Sequence, residues 1–129
     1  MNLLLDTNVL IWWVEDNPRI FSSAGAAIRD PDNLVYVSVA SAWEIAIKSA
    51  LGKLHGSGPA SVWIPEAFRR TGFVPLPIAL DHALAVEALP RHHNDPFDRI
   101  LVAQALAEGM HLVTSDAIFE HYSVPMIRL

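Results

Sequence analysis

Four acidic residues, Asp6, Glu44, Asp98 and Asp116, stand in otherwise apolar surroundings. Asp6 follows Leu3-Leu4-Leu5, and Asp116 follows Leu112-Val113-Thr114-Ser115. Glu44 is the lone acid of the stretch Ala42-Trp43-Glu44-Ile45-Ala46-Ile47, and Asp98 stands just before residues 100–107, apolar except for Gln104. A carboxylate in such a place is costly to desolvate unless a cation offsets it. Four brought together repel one another, and a hard divalent cation with oxygen ligands is the usual remedy. The chemistry implied is metal-assisted hydrolysis of a phosphodiester.

Each acid also has a plain structural role open to it. Asp6 and Asp116 each precede a helical segment and could accept a backbone N–H as N-caps. Glu44 lies four residues before Lys48, the spacing of a helix ion pair. In Asp95-Pro96-Phe97-Asp98, proline suits the first helical position, which makes Asp95 a natural cap. Asp98 then lies in the first turn, where the helix dipole favours a carboxylate. We take Asp98 as the ligand and Asp95 as cap or outer ligand. Thr7, Asn8, Thr114 and Ser115 add hydroxyl and amide groups that could orient a carboxylate, a metal-bound water or a phosphate oxygen. His92 and His93 are adjacent and have no ligand spacing; they read as solvated loop residues or as a phosphate contact. Trp12, Trp13, Trp43 and Trp63 read as core or interface residues rather than as stacking platforms for bases.

These side chains must be positioned by an alternation of strands and helices. Strands are expected at 2–5, 34–38, 73–75, 112–114 and 126–127, the third at a sheet edge because of its prolines. Helices are expected at 7–15, from Pro18 to 29, at 40–51, 65–71, 80–89 and 96–108, with a helical turn at 116–121. Gly52, Gly72 and Gly109 are helix-ending glycines, and His55 to Pro59 reads as a loop. The pattern implies a single domain over 1–129. It is an α/β/α sandwich around a mostly parallel sheet of four to five short strands. In such folds ligands bind beyond the carboxyl ends of the strands, at the switch point. If the strands ending at Asp6 and Asp116 are neighbours, about 5 Å apart, their carboxylates converge.

The 129 residues suffice for one core, and 52% of them are apolar, which leaves surface for a partner to cover. No cysteine is present, so thiolate metal sites and disulfides are excluded. We see no signal peptide and no run near the ~18 apolar residues of a membrane span; the cytoplasm is the expected location. The net charge of −5 weakens the case for a nucleic-acid partner. The four acids account for all but one of those charges, however. Lys48, Lys53, Arg69, Arg70, Arg91 and Arg99 lie near the proposed site or at loop edges.

The chain resembles the PIN domain, specifically the toxin ribonuclease of bacterial VapBC-type toxin–antitoxin pairs. The resemblance rests on Leu4-Leu5-Asp6-Thr7-Asn8, on Ala42-Trp43-Glu44-Ile45, on the segment from Asp95-Pro96-Phe97-Asp98-Arg99 to Ala105, and on Val113-Thr114-Ser115-Asp116. It implies that Asp6, Glu44, Asp98 and Asp116 hold Mg2+ or Mn2+, with Thr7, Asn8, Asp95 or Ser115 as helpers. It further implies an RNA substrate selected by loops such as 52–60 and 89–95, a cognate antitoxin whose tail covers the site, and a homodimer. A haloacid-type phosphatase is disfavoured, because it needs an aspartate where Asn8 stands. A phosphoacceptor receiver domain would want an adjacent acidic pair and a late lysine, and neither is present. A PIN-like binding module without nuclease activity is the non-enzymatic alternative.

Overall fold

The computed structural model describes residues 1–54 and 58–129. Part of the expected His55 to Pro59 loop, residues 55–57, therefore lies outside the described residues. Five strands, β1 (Asn2–Leu5), β2 (Leu34–Ser38), β3 (Val74–Leu76), β4 (His111–Thr114) and β5 (Met126–Arg128), form one sheet in the order β3-β2-β1-β4-β5. Every pairing is parallel. The chain starts at the centre, builds outward through β2 and β3, then returns to the other side of β1. The switch point therefore lies between β1 and β4, directly beyond which Asp6 and Asp116 emerge.

Leu3 to Leu5 of β1 run apolar without a break because the strand is covered on both faces, as central parallel strands are. Leu3 and Leu5 point to one face and Leu4 to the other, all three fully buried. Leu3, Leu5, Val35, Val37 and Val113 pack against α1 (Thr7–Val14), α2 (Ser23–Arg29), α3 (Val39–Ala50) and α4 (Ala60–Thr71). On the opposite face Leu4 and Leu112 meet Leu101, Val102 and Ala105 of α6 (Pro96–Glu108), together with Phe119 and Tyr122 of a 3-10 segment, Ala117–Tyr122. Burying a leucine fully contributes about 1.5–3 kcal/mol, so the three leucines before Asp6 fix its height on the rim.

β2 and α6 have the expected bounds, and β3 is an edge strand paired only with β2. Gly52, Gly72 and Gly109 all adopt left-handed φ, at 69°, 75° and 66°, a region that side chains with a Cβ rarely enter. Three helices differ from expectation. The second is split into a 3-10 turn, Pro18–Ile20, and α2, because Ser22 caps Ala24 N and restarts the helix. α4 begins at Ala60 rather than Pro65, so Pro65 lies inside it. Burial of Ala60 and Ile64 on the core offsets the hydrogen bond proline removes. The fifth helix ends early: α5 (Leu80–Ala85) tightens into a 3-10 turn, Val86–Ala88. Among the described residues, no helix is long and apolar enough to cross a membrane.

Candidate functional site

Asp6 leaves β1 with its backbone still in the sheet, its N–H donating to Val113 O at 2.9 Å. Its side chain is buried and held at both oxygens. Thr7 N donates to Oδ1 at 2.8 Å, and Thr114 Oγ1 donates to Oδ2 at 2.8 Å. Thr7 in turn donates its hydroxyl to the buried Ser41 on α3, at 2.9 Å. Asp6 is thus both the cap expected of it and a carboxylate fixed at the switch point. Thr114 is fully buried and also accepts from Asp116 N at 3.0 Å. The expectation that it would hold a metal-bound water gives way to a different role, because its hydroxyl proton is committed to Asp6.

Glu44 reaches the same region from α3, which packs on both α1 and α6. It is buried and pairs with the half-buried Lys48 at 3.0 Å. Asp95 is the cap of α6, accepting from Phe97 N and Asp98 N. That frees Asp98 to turn toward the cleft, where it meets His93 Nε2 at 3.2 Å. Asp116 is exposed and caps the following 3-10 segment through Ile118 N. Asn8 is exposed, and Ser115 is partly buried, its carbonyl accepting from Arg128.

The acids feel one another. Burial pushes the Asp6 carboxyl up to about 6, against the pull of its Thr114 and Thr7 hydrogen bonds, and the charges of Glu44 and Asp116 add to the rise. Asp98 is pushed higher, to about 8, by burial first and then by Asp6, Asp95, Glu44 and Asp116. The fold therefore brings the four acids within mutual electrostatic reach. Their oxygen-only donor set suits a hard divalent cation, whose charge would relieve both shifts. Among the described residues, no three acidic or histidine side chains close on a common point tightly enough to enclose an ion.

Several partners escaped the sequence reading. His93 is not a solvated loop residue: it is half-buried between Asp98 and the Tyr122 hydroxyl. Arg99 is not free for a phosphate. It is buried, and its guanidinium donates to the carbonyls of Pro90, Val86 and Leu89 and to Tyr122. Its place on the apolar helix α6 was the available signal, since a buried arginine needs several acceptors. Arg69 pairs with Glu66. Trp13 and Trp63 pack on the core, whereas Trp43 is 59% exposed with its edge contact on Phe97.

The family model of the PIN domain matches residues 3–125, and the chain belongs to that family. It is 32% identical over 118 residues to ribonuclease VapC22 of Mycobacterium tuberculosis, covering 88% of this chain and 86% of that protein. Ribonuclease VapC16 of the same organism is 41% identical over 71 residues, covering 52% of this chain. That match spans about half, 49%, of the relative's length. Among solved structures, VapBC2 from Rickettsia felis, bound to a DNA fragment from its promoter, superposes with a TM-score of 0.74 at 14% identity, covering 99% of this chain and 98% of the other. At that identity the likeness shows the fold: a five-stranded parallel sheet flanked by helices.

Proposed function

We propose that this protein is a divalent-metal-dependent endoribonuclease, the toxin of a toxin–antitoxin pair, held inactive by its cognate antitoxin. The observation that carries the reading is that Asp6, Glu44, Asp98 and Asp116 lie within electrostatic reach beyond the switch point of a PIN fold, Asp6 and Asp98 being raised by burial first and then by the other acids. The relatives named ribonuclease VapC22 and VapC16 support the activity. The fold shared with VapBC2 of Rickettsia felis supports a toxin–antitoxin setting.

Asp6, Glu44, Asp98 and Asp116 would hold Mg2+ or Mn2+, Asp6 and Asp98 from fixed places at the strand end and helix start, Glu44 from α3 and Asp116 from the exposed rim. Carboxylates this loosely gathered suit a cation that keeps several waters. When bound, the metal lowers the pKa of a water aligned with an RNA phosphodiester and offsets charge on the phosphate and leaving oxygen. Thr114 and Thr7 hold the Asp6 carboxylate so that it need not reorganise as charge develops. No ribose 2′-hydroxyl is required, so the ends are a 5′-phosphate and a 3′-hydroxyl.

The protein partners are a cognate antitoxin and a second copy of the chain. Val39, Trp43, Ile47 and Leu51, four residues apart along α3, leave an exposed apolar stripe consistent with cover by another protein. The test is cleavage of total cellular RNA by purified protein with Mn2+ or Mg2+. Fragments should vanish in EDTA, on adding the antitoxin, and in Asp6→Asn, with that variant losing at least ~100-fold, the loss outer partners of a metal alone can reach. Products bearing 2′,3′-cyclic phosphate would overturn the mechanism. Folded, metal-bound, antitoxin-free protein that cuts no RNA would favour a binding module.

A further inference from the structure

Three side chains outside the acidic quartet, Arg99, Tyr122 and His93, form a chain of hydrogen bonds that ends on Asp98. Arg99 Nη1 donates to the Tyr122 hydroxyl at 3.3 Å. The same hydroxyl lies 2.6 Å from His93 Nδ1, and His93 Nε2 lies 3.2 Å from Asp98 Oδ2. Arginine only donates, and a phenol has one proton. Tyr122 therefore accepts from Arg99, which leaves its own proton available to His93 Nδ1. Nδ1 being the acceptor, the neutral ring carries its hydrogen on Nε2 and donates it to Asp98. Each proton in the chain has one destination, and Phe119, edge-on to the His93 ring at 6.3 Å, packs beside it.

We propose that His93 is a positioning residue for Asp98, its tautomer and ring orientation set by Tyr122 and Arg99. It engages Oδ2, so Oδ1 is the oxygen that would remain for a cation. The inference rests on the metal-dependent reading above. A simpler role, tying the 89–95 loop to α6, is already filled. Arg99 binds the carbonyls of Val86, Leu89 and Pro90, so the loop is anchored without the His93–Asp98 contact. What that contact adds is orientation of a carboxylate, and hydrogen-bonded outer partners of this kind govern how well a ligand meets its metal.

The measurement is Mn2+ affinity by titration calorimetry on the purified full chain, alongside 15N NMR of the histidine rings in EDTA. At a pH above about 8, where the metal-free Asp98 is ionised and can accept, wild type should show His93 as the neutral Nε2–H tautomer. Tyr122→Phe keeps the ring and removes the hydroxyl, which is both the donor to His93 and one of the acceptors of Arg99. It should release the tautomer and weaken Mn2+ binding about 10- to 100-fold. His93→Leu should weaken it as much, and His93→Gln, whose amide can still donate to Asp98, should lie nearer wild type. Melting curves in EDTA identify any variant that fails to fold, and His93, being only half-buried, gives the arm least exposed to that failure. Wild-type Mn2+ binding that persists unchanged in Tyr122→Phe and His93→Leu overturns this proposal alone. A wild type that binds no Mn2+ overturns the metal reading and this proposal with it.

Discussion

Asp6 and Asp98 carry the same carboxyl group on two different mountings. Asp6 ends the central strand, is 6% exposed, and has a fixed donor on each oxygen, one from Thr7 and one from Thr114. Asp98 opens a helix, is less buried, and has one side-chain partner, His93. Yet Asp98 is the more strongly raised of the two, to about 8 against about 6. Burial depth alone would order them the other way. The difference lies in compensation: two donors at 2.8 Å offset part of the desolvation at Asp6, whereas Asp98 collects the repulsion of four other acids against a single longer contact, to His93 at 3.2 Å. A strand end gives a rigid carboxylate whose partners are already in place. A helix start gives one whose charge depends on what binds beside it.

The largest expected effect follows from that contrast. In EDTA the unfolded chain ionises both groups near the ordinary 3.8, while the folded protein keeps a proton on Asp6 to about 6 and on Asp98 to about 8. The folded state binds more protons across that window, so these groups favour folding most at its acid end, and stability falls as pH rises through it. Melting temperature in EDTA should decline toward pH 8. Asp98→Asn should flatten the whole stretch between 6 and 8, whereas Asp6→Asn should act chiefly below 6 and only shorten the upper stretch, by withdrawing one of the charges that raise Asp98. Saturating Mg2+ should raise the melting temperature most at pH 8. Equal flattening by the two variants would break the comparison.

A smaller change should make Asp6 behave more like Asp98. Thr114→Val keeps the volume but strips Oδ2 of its donor, and leaving a buried acceptor unsatisfied costs about 1–3 kcal/mol. Urea unfolding at pH 8 in EDTA should show that loss, and the Asp6 part of the pH decline should move upward. Unchanged stability would mean that Thr114 does not offset Asp6. The smallest effect is expected at Glu44. Its pair with Lys48 is the ordinary helix spacing, so Lys48→Met should change stability by only about 0.2–0.5 kcal/mol in the same assay. A loss comparable to that of Thr114→Val would show Glu44 to be mounted as firmly as Asp6.

Much of this arrangement could be read from local pattern. Leu3-Leu4-Leu5-Asp6 announces a buried strand with an acid at its end, and Asp95-Pro96 announces the start of α6, because those signals lie within a few residues. The start of α4 was hidden because Pro65 is a strong boundary signal and the burial of Ala60 and Ile64 that overrides it is tertiary. His93 was misread for the same reason. Asp98 is only five residues on and hinted at a role, but the partner that buries and orients the ring, Tyr122, is 29 residues away. The role of Thr114 toward Asp6 spans 108 residues and depends on β4 lying beside β1, which alternation of elements suggests but does not dictate.

That span has a consequence for biosynthesis. β1 is translated first, yet it becomes the middle of the sheet, and one of its two neighbours is β4, at residues 111–114. Contacts so distant in sequence form late, because the intervening chain must be ordered before they are rewarded. A nascent chain on the ribosome therefore carries Asp6 without Thr114 and without Asp116. The four acids can meet only after β4 and Asp116 have been made and the sheet has closed around β1, so a shorter nascent chain holds part of the set and not the site.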